Sequence, residues 1–132
     1  KIPLFGLYLK KIGCISIDRG KISKENLNFF SEVSNIIRNT NKTLIIFPQG
    51  TRKHFKDRSK FKKGVSRIYK DLNIPCLPIS INSGEAWPKE GRLIPGKKII
   101  VSVLNLYPSN LDPQDFLVNI EKLIYKELDN LS

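Results

Sequence analysis

The chain has 132 residues, 40% of them hydrophobic and 9% aromatic, which suits one domain with one core and excludes a disordered composition. Lys and Arg number 23 against 12 Asp and Glu, a net charge of +11, so an anionic partner is expected: nucleic acid, an acidic protein or an anionic lipid surface. The residues contain no apolar run of about 18 and no signal-peptide pattern, so none of them reads as a membrane span.

From the first residue, Lys1 to Leu9 is apolar with basic ends at Lys1, Lys10 and Lys11. It reads as a short helix, either packed on a core or laid on a membrane surface. Cys14 to Arg19 alternates weakly and carries β-branched residues, which predicts a strand running into the turn Asp18-Arg19-Gly20. Ser23 is placed to cap a helix, with Glu25 in the first turn. Leu27, Phe30, Val33 and Ile37 recur at helical spacing, predicting an amphipathic helix over about 24–38.

Thr43 to Phe47 is a β-branched apolar run and reads as a buried strand, stopped by Pro48, which has no N–H for a ladder. Strand, helix and strand within about 30 residues suggest a βαβ unit with parallel strands. Lys53 to Lys63 is a basic loop interrupted by Phe55 and Phe61. Gly64 opens a second helix with Val65, Ile68, Tyr69 and Leu72 on one face. Cys76 to Ile81 is a third predicted strand, in which Pro78 requires an edge position or a bulge. The loop Asn82–Pro88 and a Gly- and Pro-marked connection lead to a fourth predicted strand, Lys98 to Leu104. Finally Asp112 caps a helix with Pro113 at its first position. Phe116, Ile120, Leu123, Ile124 and Leu128 form its stripe, and Leu111 is placed to staple onto Phe116. The expected architecture is α/β: a mixed, mostly parallel sheet of at least four strands with flanking helices.

Cys14 and Cys76 lack CxxC spacing and His54 is the sole histidine, so no metal site is expected. Both cysteines read as small buried hydrophobes in a reducing compartment. The sequence holds no P-loop, no GxGxxG after a strand and no GxSxG elbow. His54 and Asp57 lie three apart in a basic loop, a weak candidate for a base. What stands out instead is the tip Phe47-Pro48-Gln49-Gly50-Thr51-Arg52. Gly50 permits a close approach, Thr51 adds a hydroxyl and Arg52 a planar fork suited to phosphate. Arg19 ends another predicted strand, and Lys62 and Lys63 follow the basic loop. In a parallel sheet such ends share the edge where ligands of open α/β sheets bind, and two arginines there would grip a phosphate.

The order Gly13-Cys14-Ile15-Ser16-Ile17-Asp18-Arg19, then Phe47 to Arg52, then Ile74-Pro75-Cys76-Leu77-Pro78-Ile79 resembles the lysophosphatidate (1-acylglycerol-3-phosphate) acyltransferase family. That family shows a strand ending in Asp-Arg, a Phe-Pro-Glu-Gly-Thr-Arg segment and a Val-Pro-x-x-Pro-Val segment, in this order. Phe61-Lys62-Lys63-Gly64 matches a further habit of the family, and Asn82-Ser83-Gly84 to Trp87-Pro88 is similar to one bacterial branch. The resemblance covers residues 2 to 104. It implies a glycerolipid acyltransferase-like domain over 1–132 that moves a fatty acyl group from acyl-CoA or acyl-carrier protein, as co-substrate without further cofactor, to the free hydroxyl of a lysophospholipid. The product would be phosphatidate, made at the cytoplasmic face of an anionic membrane.

The resemblance also carries roles. Arg19 and Arg52 would hold the acceptor's phosphate, with Gln49, Gly50 and Thr51 in the same substrate site, and Pro75 and Pro78 would shape its wall. The family's base is a histidine in an Asn-His-x-x-x-x-Asp segment, its carboxylate orienting the imidazole. No histidine precedes His54, so the catalytic His and Asp are expected upstream of Lys1 and the chain alone is expected to be inactive. Gln49 stands where the family has Glu, keeping size and an acceptor but losing charge. Two alternatives are a non-catalytic lipid-binding domain and a basic nucleic-acid-binding domain. The latter would use Phe55 and Phe61 as exposed stacking groups among the basic residues. With an acyltransferase reading, no nucleic-acid partner is expected.

Overall fold

The computed structural model of the protein describes residues 5–14, 25–40, 42–51 and 53–131. The chain divides into two compact units, Lys1–Lys42 and Thr43–Ser132.

The first unit holds α1 (Phe5–Lys11) and α2 (Glu25–Asn39). Gly13 adopts φ +85°, the left-handed conformation that closes a helix without a Cβ penalty. The Cys14 N–H accordingly reaches back to the Leu9 carbonyl at 2.9 Å. Gly13, just before the strand predicted from Cys14, ends a helix. Cys14 is exposed rather than buried. The rest of the strand predicted over 14–19 lies outside the described residues, as does the Ser23 cap. In α2, Val33 and Ser34 are the buried pair and Phe29 meets Phe30 edge to face at 5.4 Å, so the predicted amphipathic helix is present to within a residue or two.

The second unit is built on three elements: α3 (Gly64–Leu72), the sheet of β1 (Ile79–Ile81) with β2 (Val101–Val103), and α5 (Pro113–Asn130), with the single turn α4 (Ser83–Ala86) after β1. Asn73, at φ 52°, closes α3. Asp112 caps α5 by accepting from the Gln114 and Asp115 N–H groups, with Pro113 in the first turn. The core gathers Phe61, Tyr69, Phe116 and Ile120. Tyr69 and Phe116 stack at 3.7 Å with planes 3° apart, and Phe116 is 1% exposed. Leu111 is exposed, and the aromatic partners of Phe116 are Tyr69 and, edge to face at 5.6 Å, Tyr107.

Helices beside a sheet are as expected, but the pairing is not. β1 and β2 are antiparallel, with Ser80 opposite Ser102; parallel strands are not found among the described residues. Residues 43–47 form no ladder there, and Phe47 is 80% exposed. Apolar β-branched composition marks a strand only if another backbone edge pairs with it. The third and fourth predicted strands exist but are short. Cys76 exchanges both backbone hydrogen bonds with Tyr107, at 2.9 and 2.7 Å. Between that bridge and the Ile79–Val103 pair, one strand advances three residues and the other four. The extra residue lies on the facing segment, between Leu104 and Tyr107, so the bulge stands opposite the stretch that holds Pro78. Pro78 still accepts from the Leu104 N–H at 3.0 Å.

The sheet turns its serines to α5. Ser80 is 1% exposed and donates to the Ile124 carbonyl at 3.1 Å, while Ser102 donates to Glu127 at 2.6 Å. Its other face carries Ile79, Ile81, Val101 and Val103, all exposed.

Candidate functional site

The tip that begins at Phe47 is a tight turn. The Gly50 N–H donates to the Phe47 carbonyl at 3.0 Å, and Gly50 sits at φ +71°, which a side chain would strain. Two groups hold this turn. The Lys62 N–H donates to the Pro48 carbonyl at 2.9 Å. The stem of Lys62 also packs at Gly50, its Cγ lying 3.4 Å from where a Cβ would stand. The Gln49 amide reaches the Tyr125 hydroxyl of α5 at 3.1 Å. Gly50 is therefore needed for its backbone conformation, and Lys62 brings a cation to the turn.

Of the residues expected in the substrate site, Gln49, Gly50 and Thr51 are described and share this turn. Thr51 is exposed. Arg19 and Arg52 lie outside the described residues. Pro78 is buried and Pro75 exposed. Gln49 does not stand open toward an anion; it is turned to α5. Tyr125 was not legible as a partner of this turn, because its contact with Gln49 spans 76 positions.

The basic loop is ordered by its own polar groups and by two aromatic anchors. Asp57 pairs with Lys53 at 3.3 Å and accepts from the Ser59 N–H at 2.8 Å. The Lys53 hydrogen bond, aided by that N–H, holds the Asp57 carboxyl below its usual range. His54 accepts at Nδ1 from the Lys56 N–H at 3.3 Å and is exposed. Its expected carboxylate partner is thus committed to Lys53, which leaves no oriented imidazole and no evident base in this loop. Phe55 and Phe61 are 8% and 6% exposed. The backbone of Phe55 packs against Gly84 of α4, which joins the Asn82–Trp87 loop to the basic loop. Buried, these two rings offer no stacking platform, and the feature that favoured nucleic acid is gone.

Arg58 anchors the end of the loop to α5. It donates to the Phe55 carbonyl at 2.6 Å, pairs with Asp129 at 2.5 Å, and lies over the Tyr125 ring at 5.4 Å. An open groove of about 430 Å³ lies beside it, lined by Arg58, Glu121, Lys122, Tyr125, Lys126 and Asp129. Among the described residues no cluster of His, Cys, Asp or Glu could hold a metal. Cys76 is half-buried, and that burial pushes its thiol up, as suits an inert core thiol.

Comparison with known proteins places these features. A family model described as Acyltransferase matches residues 1–82. A curated relative, the 1-acyl-sn-glycerol-3-phosphate acyltransferase of Pseudomonas aeruginosa, is 32% identical over 90 residues, which are 68% of this chain and 35% of the relative. The chain thus aligns with about a third of that relative's length. No solved structure matches. The match spans the Phe47 turn, the basic loop that holds it and the two prolines beyond, and on it the chain belongs to the acyltransferase family.

Proposed function

We propose that the chain carries the acceptor-binding part of a 1-acylglycerol-3-phosphate O-acyltransferase, which esterifies the free hydroxyl of lysophosphatidate to make phosphatidate. The observation that carries this reading is the Phe47–Gly50 turn, held at Pro48 by the backbone of Lys62 and packed at Gly50 by its stem. A tight turn followed by Thr51 and Arg52, with a lysine folded against it, is a concentration of anion-binding groups. By the family resemblance, Arg52 and Arg19 would hold the acceptor's phosphate. The Pseudomonas relative, a 1-acyl-sn-glycerol-3-phosphate acyltransferase, supports the same acceptor. The donor would be acyl-CoA or acyl-carrier protein, the latter an acidic partner suited to a net charge of +11. The family's mostly parallel sheet belongs to the whole protein in this reading.

The base would be the family's His-x4-Asp pair, since His54 has no carboxylate partner among the described residues. The chain alone then binds acceptor without turnover. Membrane contact would come through α1, where Leu7, Tyr8 and Ile12 are exposed beside Lys11, at the cytoplasmic face. No helix among the described residues is long and apolar enough to cross a membrane.

Binding to phosphatidylcholine vesicles doped with 1-acylglycerol-3-phosphate tests the reading. Affinity should exceed that for vesicles of equal charge made with phosphatidylserine, and Arg52→Ala should weaken it about tenfold, the worth of one charge-assisted hydrogen bond. Equal affinity for both vesicles, or tight binding of single-stranded oligonucleotides without preference for the lysolipid, overturns it.

A further inference from the structure

Gln49 and Tyr125 are linked in one direction. The Tyr125 hydroxyl lies 2.5 Å from the Ser59 carbonyl and 3.1 Å from the Gln49 amide nitrogen. A carbonyl only accepts, so the one hydroxyl proton goes to Ser59. Whatever meets the hydroxyl from position 49 must therefore donate. The amide NH₂ of Gln can; a carboxylate cannot. The ring itself is held, tilted against Phe61 at 5.2 Å and covered by Arg58, so it is not free to find another partner.

We propose that Tyr125 is the positioning residue of the Phe47–Gly50 turn, and that its hydrogen-bond direction selects Gln over Glu at position 49. The chain Gln49 to Tyr125 to Ser59 ties the turn to α5 at one end as Lys62 ties it to the basic loop at the other. The departure from the family's Phe-Pro-Glu-Gly-Thr-Arg segment then suits this chain's own contact: donor at 49, acceptor at 125. The surrounding charge is divided: Lys62, whose stem packs at Gly50, would favour a carboxylate at 49, whereas Glu121 and Asp57 oppose one. Burial first, then the charges of Glu121 and Asp57, push the Tyr125 hydroxyl up against its hydrogen bonds to Gln49 and Ser59, so the phenol keeps its proton. Arg58 and Asp129 are paired with each other, and Lys122 and Lys126 line the groove beside them. A carboxylate at 49 would add a third negative group near Glu121 and Asp57. A protonated carboxyl at 49, by contrast, has the shape of the amide and one O–H to donate.

Thermal unfolding of the 132-residue chain tests the direction. Gln49→Glu should lower the Tm by about 3–6 °C at pH 7 relative to the unsubstituted chain. The introduced carboxyl needs its proton in the folded state, so its folded pKa is raised. Its contribution is therefore present at acid pH and lost as pH rises through that pKa. Hence the deficit should fall below about 2 °C at pH 4.5. In a Tyr125→Phe background the same substitution should cost less than half as much at pH 7. A deficit that stays constant with pH, or is equal in both backgrounds, overturns the hydrogen-bond direction.

The positioning role rests on the proposed acceptor site and has its own measurement. Tyr125→Phe should weaken binding to lysophosphatidate-doped vesicles about three- to tenfold and leave phosphatidylserine vesicles unaffected. Unchanged lysophosphatidate affinity in that variant, with the unsubstituted chain still preferring the lysolipid, overturns positioning. If the unsubstituted chain shows no such preference, the acceptor reading fails and with it the positioning of that site, while the thermal series still decides the Gln49–Tyr125–Ser59 link.

Discussion

Tyr69 shows how one side chain joins parts of the second unit. Its ring stacks on Phe116. Its hydroxyl donates to the Pro108 carbonyl at 2.7 Å and accepts from the Leu111 N–H at 3.2 Å. The loop that leads from β2 into α5 thus hangs on a residue of α3. Removing the hydroxyl leaves a carbonyl and an N–H without that partner, and a polar group unsatisfied in a partly buried place costs about 1–3 kcal/mol. Tyr69→Phe should therefore lower the unfolding free energy by that amount, read as a lower denaturant midpoint at unchanged m-value, although stacking survives. Tyr69 was legible as a helix-face residue from its spacing with Val65 and Leu72. Its hydroxyl contacts, 39 and 42 positions away, were not, because periodicity reports which face is apolar and not what a polar tip will meet.

Among the elements, α5 was the most legible. An Asp-Pro start and an apolar stripe at three- and four-residue spacing are local instructions, and the helix obeys them from Pro113 to Asn130. Asp112 accepts from two of the first N–H groups, at 2.8 and 3.1 Å, and so satisfies donors that no helical carbonyl can reach. Asp112→Ala should cost about 1 kcal/mol by chemical denaturation, and Asp112→Asn or Asp112→Ser markedly less. The strands were legible only in part. Cys76 to Ile81 was one apolar run, but Pro78 divides it into an isolated bridge and the three residues of β1. The warning carried by proline held; the strand length did not. The run 43–47 has the same composition and pairs with nothing described, since a strand is a relation between two segments rather than a property of one.

At the scale of the whole molecule, charge and pH enter together. Asp57 is held below its usual range chiefly by Lys53, and Glu127 by the Ser102 hydroxyl and then Asn130. For a carboxyl with a depressed folded pKa, the stabilising contribution is complete above the unfolded value and lost as pH falls through the folded one. The second unit should therefore lose stability from about pH 4.5 downward. Ser102→Ala should flatten part of that loss, and a pH series of thermal midpoints would show it; parallel curves for the two proteins would exclude Glu127 as a contributor. The apolar residues of the sheet are divided in an unusual way. Serines face α5, and Ile79, Ile81, Val101 and Val103 face outward. Alternation in β1 is therefore real, but which face is the core is inverted from what hydropathy alone suggests, because the hydroxyls of Ser80 and Ser102 find a carbonyl and a carboxylate on α5.

Local chemistry in the sequence determined the described helices, the Asp112 cap of α5, the break at Pro78 and the family motifs around Gly50, since each depends on residues within a few positions of one another. Tertiary structure decided the antiparallel pairing of β1 with β2, the burial of Phe55 and Phe61, and the turning of Gln49 to Tyr125. These depend on which surfaces meet across 60 or more positions in the case of Phe61–Glu121 and Gln49–Tyr125. No single stretch carries that information, because a hydrogen bond or a ring contact needs both partners in place before either has a preference to express.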